Sequence, residues 1–418
     1  MLAGSLRRRF AERGLLRSKS FLFRIDLPRT RKIRGPFCTI DGWFGWRPGT
    51  ETPCLRVNGL EPFWKLVDRP DVRKAFPRKS SQGFRIFLDA SLFSEQLAQS
   101  AKRLRLELTA KGETVAARDF QVSDDDLREI QAAGKSRRTK RQWLKEHVAC
   151  PFCLAGALEF SVGAIECRNC KGRFLDSGSV FDFLPEDLRL RFHIEDVDDI
   201  SEHRYDEVAA EIVEQVRQKG GKVLDCGAGM RPRIDDAVIC VDVAPFPTVD
   251  VLAVNQKLPF RSAAFDAVLS LNVLEHVTDP FACAAELVRV LKPGGTLYCC
   301  IPFLQPEHGY PHHYFNATRS GLRQLFPADF ETIQHVVPRS GEPVWSLRWF
   351  LSWYAEQLPA DEREKFLNLR LGDVLKRPAE SLLEEPWVSS LSAEGKWKLA
   401  STTAAVFRKP ASTEGREA

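Results

Sequence analysis

The chain has 418 residues, 44% of them hydrophobic and 28% charged, with a net charge of +5. That length allows two or three domains of ordinary soluble composition. Nothing in it approaches the run of about 18 apolar residues that a membrane-spanning helix requires. The charge is uneven: residues 1–150 hold about 32 basic and 17 acidic side chains, roughly +15, which leaves roughly −10 for the remainder. Such a front half suits nucleic acid, anionic lipid or acidic glycan without choosing among them.

Residues 1–33 form a basic N-terminal segment lacking the apolar core of a secretory signal; the expectation is a frayed terminus, with a transit or membrane-surface role as the alternative. Residues 34–122 alternate β-prone runs (37–46, 54–57, 83–88 and 103–108) with turn signals such as Gly35-Pro36, Asn58-Gly59 and Lys111-Gly112. This pattern predicts a small antiparallel sandwich. With Gly42-Trp43, the Asp68–Pro77 stretch and the strand from Gly83, the segment resembles the β-sandwich accessory modules attached to bacterial glycosyltransferases and methyltransferases. The resemblance implies a recognition or packing role, and no chemistry of its own.

Ser123 followed by Asp124, Asp125 and Asp126 predicts a capped helix through His147, so residues 123–148 read as a linker helix. Its middle is basic (Lys135, Arg137, Arg138, Lys140, Arg141, Lys145), which predicts a solvated face, or phosphate contact as the sharper reading.

Residues 149–186 contain two C-x-x-C pairs, Cys150/Cys153 and Cys167/Cys170, at a spacing that lets four thiolates enclose one tetrahedral Zn²⁺. A closed site of that kind is structural, and a module this short needs such help to fold. The pairs, with Gly156, Leu158, Phe174 and Phe183-Leu184-Pro185, resemble the zinc domain of the tRNA-methyltransferase activator protein. The other cysteines are scattered, several in predicted strands, as in a protein of a reducing compartment; the cytoplasm is the expected location.

Residues 200–410 are expected to form the catalytic domain. An amphipathic helix from Asp206 ends at Gly220-Gly221; the runs "VLDCGAG" (223–229), "VICVDV" (238–243), "LPFRSAAFDAVLSLNVLEHVTDP" (258–280) and "RVLKPGGTLYCCIP" (289–302) follow. Short apolar runs alternating with amphipathic segments predict parallel strands joined by helices, an α/β doubly wound Rossmann-like sheet. The glycines after the first strand allow close approach to the backbone, and an acid ending the second can accept ribose hydroxyls.

In that order, the four runs resemble the class I S-adenosylmethionine-dependent methyltransferases related to the quinone-biosynthesis enzymes. The resemblance implies that S-adenosyl-L-methionine is the cofactor. Asp225, Gly227, Ala228 and Gly229 are expected to line its methionine end, Asp242 to hold the ribose, and Val243 to lie beside the adenine. Asn272 and Val273 are expected to face the sulfonium, and Asn255 to replace the acid that commonly contacts adenine, where this chain has Val254. Only about nine residues separate Gly229 from the second strand, too few for the usual first helix. Arg231, in that short crossover, is a candidate partner for the cofactor's carboxylate.

The segment 307–315, rich in histidine, is expected at the mouth of the site, with His312, His313 or His276 able to accept a proton from an acceptor. A strand is expected over residues 330–337. Trp345, Trp349 and Trp353 recur every four residues on one helix face, expected to dock into a core, with a substrate lid, partner surface or peripheral membrane contact as alternatives. A closing strand is expected from Leu399 onward. The acceptor reads as a small molecule, a glycan or a lipid-linked species. RNA, through the zinc module and basic front half, is a second reading; a non-catalytic scaffold that keeps the fold is a third.

Overall fold

A computed structural model describes residues 15–399 apart from 18–19, 187–188, 190–203 and 310–311. It divides into two compact units, one of residues 1–274 and 278–300, the other of 275–277 and 301–418. The front of the first unit is the expected sandwich. One sheet has the order β1-β2-β4-β7-β6 (Leu16–Arg17, Phe21–Leu27, Phe37–Trp46, Ser80–Asp89, Trp64–Val67), and the other β3-β9-β8-β5 (Lys32–Ile33, Glu113–Val122, Arg103–Ala110, Cys54–Val57). Side chains of period two meet between them: Phe23, Ile40, Phe44 and Phe84 from the first sheet face Leu55, Leu104, Leu106 and Phe120 from the second. The sandwich also takes in Phe21–Leu27, inside the stretch set apart as a basic N-terminal segment. Leu22 and Phe23 are buried there, while Arg24 and Asp26, half-buried, pair with each other. Helices α1 (Pro70–Ala75) and α2 (Ser94–Gln99) flank the sheets.

Helix α3 spans Asp124–His147, and the Ser123 hydroxyl accepts from the Asp126 amide as its cap. It is not a solvated linker. Arg137 is buried and bonds Asp89 of the sandwich, the Ser179 carbonyl beyond the cysteine pairs and the Pro247 carbonyl of the C-terminal domain. Arg141 pairs with Asp176 at 2.8 Å. Lys140, 1% exposed, pairs with Asp250 at 2.5 Å, and Asp250 also accepts from the Cys240 amide. Of the basic residues in the middle of this helix, Lys135, Arg138 and Lys145 are exposed, Arg138 beside Glu95.

A single nine-stranded sheet runs through the rest of this unit in the order β10-β11-β12-β13-β16-β15-β14-β17-β18. The cysteine module supplies β10 (Leu158–Ser161), β11 (Ala164–Cys167), β12 (Arg173–Asp176) and β13 (Phe181–Asp182), antiparallel to one another. Strand β13 then pairs in parallel with β16 (Val251–Leu252). Beyond lie β15 (Val238–Asp242), β14 (Val223–Cys226), β17 (Phe265–Leu271) and β18 (Leu291–Cys300), all parallel. In chain order the five parallel strands stand 3-2-1-4-5, so the order reverses beside β14 and a crevice opens at the carboxyl ends of β14 and β17.

The short crossover is real: residues 227–237 between β14 and β15 contain no helix. Nor do the links β15–β16 and β16–β17; only β17 and β18 are joined by one, α5 (Pro280–Val290). Yet β14 and β15 are buried almost throughout. One face is covered by α4 (Glu207–Gln218), whose Ala209, Val213 and Val216 pack on Val223, Val238 and Leu269. Helix α3 packs on the sheet as well: the Trp143 ring lies 5.3 Å from that of Phe265, and the Ala149 and Arg261 amides bond the Pro259 and His147 carbonyls. The helix read as a linker stands in for crossover helices the chain lacks.

In the second unit, Thr318 caps α6 (Arg319–Gln324). Residues 330–337 form no strand; Ile333 is 78% exposed, and an extended apolar run without a pairing strand gains nothing from its alternation. The tryptophan face of α7 (Pro343–Glu356) does not dock as a block. Trp353 joins Tyr354, Leu358 and Leu399 in a small core, Trp345 is half exposed with its indole N–H on the Arg339 carbonyl, and Trp349 lies beside His308. The closing strand expected beyond Leu399 lies outside the described residues.

Candidate functional site

The glycine loop after β14 is shaped by three interlocking constraints. Gly227 has φ +73, and a Cβ there would lie 2.4 Å from Val273 Cγ2; no other residue fits under that side chain. The Gly227 and Ala228 amides bond the Val241 carbonyl at 2.8 and 3.0 Å, tying the loop to the end of β15. Gly229, with φ +59, donates its N–H to Asp242 Oδ2 at 2.8 Å. Asp242 Oδ1 accepts from the Ala244 amide at 3.0 Å. Burial pushes the Asp242 carboxyl above its ordinary range against the pull of these amides. With the Gly229 amide on Oδ2 and the Ala244 amide on Oδ1, lone pairs remain on both oxygens for the two hydroxyls of a ribose.

Asp225 is fully buried and committed inward. The Arg231 guanidinium grips it in a fork, Nε to Oδ2 at 2.7 Å and Nη2 to Oδ1 at 3.1 Å. The Tyr205 hydroxyl donates to the same Oδ2 at 2.6 Å, and the guanidinium lies 4.4 Å over the Tyr205 ring. A buried ion pair with bidentate geometry and an added hydroxyl is the arrangement in which such a pair is well satisfied. Arg231, expected to face a cofactor carboxylate, thus braces the loop through Asp225. Tyr205 drew no attention in the sequence, where a tyrosine just before a helix carries no signal of its own.

Asn272, directly after β17, has φ +56, a left-handed conformation that asparagine tolerates better than most residues. Its amide bonds the Cys300 carbonyl at 3.1 Å, and it presents Val273 to the glycine loop. Val243 packs against the apolar cluster that holds Val254, and Asn255, next in sequence to Val254, is buried. The structure therefore gathers Asp225, Gly227, Ala228, Gly229, Asp242, Asn272 and Val273 around the carboxyl ends of β14, β15 and β17.

These residues fall in a segment that comparison recognises: residues 226–299 match the family described as the methyltransferase domain. Residues 226–299 carry a methyltransferase domain. Among curated relatives, the ubiquinone biosynthesis O-methyltransferase of Xanthomonas campestris is 34% identical over 116 residues, 23% of this chain and 47% of that protein. An uncharacterised methyltransferase of Mycobacterium sp. (strain JLS) is 49% identical over 78 residues, 18% of this chain and 31% of that one. The chain thus spans less than half the length of these relatives. The YcgJ protein of Bacillus subtilis aligns over 40% of this chain and 87% of its own at 18% identity, with a TM-score of 0.25.

The four module cysteines also converge. Cys150 Sγ lies 3.5 Å from Cys170 Sγ and Cys153 Sγ 3.6 Å from Cys167 Sγ, with all four sulfurs within 4.8 Å of one another. Tetrahedral bonds of about 2.3 Å place sulfurs roughly 3.8 Å apart, so the set fits Zn²⁺.

In the second unit the histidines form a cluster of their own. The ring centroids of His308 and His313 are 4.4 Å apart, and that of His276 lies 5.3 and 5.6 Å from them. His313 Nδ1 accepts from the His308 amide at 3.2 Å, and its Nε2 bonds the Phe315 carbonyl at 3.0 Å and Asn316 Oδ1 at 2.9 Å. Both ring nitrogens of His313 are thereby engaged in shaping the loop. His312 contributes its backbone carbonyl, which His276 Nδ1 bonds at 2.9 Å. Burial lowers the His276 pKa and takes that of His308 down to about 4, so both rings are neutral at pH 7.

Proposed function

We propose that the protein transfers a methyl group from S-adenosyl-L-methionine to a small-molecule, glycan or lipid-linked acceptor. The observation that carries the reading is the glycine loop locked between Val273 and Asp242 at the switch point of a 3-2-1-4-5 sheet. In this reading Asp242 holds the ribose, Val243 and Asn255 flank the adenine, and Gly227, Ala228 and Gly229 line the methionine end beside Asn272 and Val273. Asp225 acts through Arg231 by fixing the loop. The cofactor supplies an electrophilic methyl on a sulfonium; the chain supplies alignment and exclusion of water. Of the histidines considered as bases, His312 stays within this proposal; His276 is held by the His312 carbonyl and His313 through both ring nitrogens, which favours a structural part for them. Zn²⁺ at Cys150, Cys153, Cys167 and Cys170 is proposed as structural, and the cytoplasmic location is kept on the cysteine usage.

The RNA reading loses support from α3, because Arg137, Lys140 and Arg141 are spent on Asp89, Asp250 and Asp176. Calorimetry with S-adenosylmethionine tests the main proposal: binding that Asp242→Ala abolishes is expected. No binding at millimolar cofactor would leave a scaffold. Salt-dependent binding of RNA by the full chain, in the absence of binding to glycan or lipid-linked acceptors, would return the second reading to the front.

A further inference from the structure

Among the described residues of the second unit, Glu275 is the buried side chain whose two carboxyl oxygens both lack a hydrogen-bond partner. It is 0% exposed. A buried carboxylate without a partner is strongly disfavoured. Its backbone is held firmly, with the carbonyl accepting from the Tyr314 amide at 2.6 Å, so the side chain is placed rather than stray. Oε1 points at His276 Nε2, 3.8 Å away, too far for a hydrogen bond.

The two neighbouring imidazoles are prepared in the same way. His276 Nδ1 lies 2.9 Å from the His312 carbonyl, and His308 Nδ1 lies 2.9 Å from the Pro306 carbonyl. A carbonyl can only accept, so each Nδ1 carries the hydrogen and each Nε2 offers a bare lone pair. Fixing an imidazole through N–H donation to a backbone carbonyl is the outer support that metal-ligating histidines use. Gly309, φ +80, lets the loop close on the His276 ring; a Cβ there would lie 2.2 Å from Cε1. One ligand atom from each of Glu275, His276 and His308 lies within 4.8 Å of the others. Closing them around an ion with bonds of about 2.0–2.2 Å takes side-chain shifts of about an ångström.

We propose that Glu275, His276 and His308 bind one divalent transition-metal ion, with at least one coordination position left open. Two imidazole nitrogens and one carboxylate oxygen suit zinc, cobalt, iron or manganese better than magnesium or calcium, which favour all-oxygen sets. Three protein ligands leave room for a water or an oxygen of a bound molecule, unlike the closed four-sulfur set. The ion answers the orphaned carboxylate directly, because it supplies the positive charge the pocket lacks.

The test is metal stoichiometry of the full chain, stripped of metal, dialysed against buffered Zn²⁺ and measured by mass spectrometry. Two zinc ions per chain are expected in the wild type, one in Glu275→Gln and in His308→Gln, and one in Cys153→Ser, whose loss falls on the cysteine site. A spectrum of the unaltered protein guards against misfolded variants: Co²⁺ added after one equivalent of Zn²⁺ should give weak visible bands without thiolate charge transfer. A wild type that takes only one ion, or Glu275→Gln and His308→Gln variants that still take two, overturns the proposal. So does a second cobalt site with thiolate bands.

Discussion

Replacing Lys140 by methionine is the sharpest probe of how the first unit is built. The ammonium is 1% exposed and its partner Asp250 is 5% exposed, 2.5 Å away. Methionine keeps the aliphatic stem but leaves Asp250 with only the Cys240 amide for company. Removing one member of a buried ion pair costs about 3–5 kcal/mol, mostly the penalty of the charge left behind. In a domain of this size each kcal/mol shifts the melting temperature by about 2–4 °C, so a drop of about 6–20 °C is expected. The assay is scanning calorimetry with and without S-adenosylmethionine, since the transition raised by the cofactor belongs to the methyltransferase domain. Adding Asp250→Asn removes the orphaned charge while keeping an acceptor for the Cys240 amide, and should restore most of the loss. If Lys140→Met leaves the cofactor-sensitive transition within about 1 kcal/mol of wild type, α3 is not part of that domain's core.

Gly227→Ala should abolish cofactor binding by calorimetry, and a further Val273→Ala should relieve only the steric part, because φ +73 stays strained for alanine. Arg231→Leu should destabilise the domain by about 3–5 kcal/mol by orphaning Asp225, and Tyr205→Phe by about 1–2; melting and cofactor titration read both. Chelation should lower the protection of amides in β10–β12 against hydrogen exchange, and Cys153→Ser should do the same without chelator. Asp71 is held below its ordinary 3.8 mainly by the hydrogen-bonded Arg69. That pair contributes stability present above about pH 4 and lost as the pH falls through the lowered value. Arg69→Gln should flatten this acid limb by about 1 kcal/mol or less, given the exposure of Asp71, as read by melts from pH 2 to 6.

Local chemistry made the strands Phe37–Trp46 and Cys54–Val57 and the helix Asp124–His147 legible in the sequence, since alternation, turns and a serine cap lie within a few residues of one another. The glycine loop was legible for the same reason. Phe21–Leu27 was hidden because Arg24 and Asp26 share a strand with its apolar residues and sit in a basic stretch. The role of α3 was hidden because its partners are far away in sequence: Arg137 reaches Pro247, 110 residues on. No local pattern tells a buried lysine from a solvated one. Residues 330–337 show the converse error, a β-prone run that finds no neighbour. Glu275 and His308 drew no role for a similar reason, since one reads as part of a motif and the other as one histidine among several.

The parallel pairing of Phe181–Asp182 with Val251–Leu252 makes the cysteine module the border of the methyltransferase sheet. A chain trimmed to begin at residue 200 would keep every cofactor residue and lose that border. The β16 edge would then offer unpaired amides and carbonyls to any neighbouring copy, and α3, with its Lys140, would be gone from the face behind it. Such a fragment should therefore fail by self-association before it fails by chemistry, and the three modules are better regarded as one folding and expression unit.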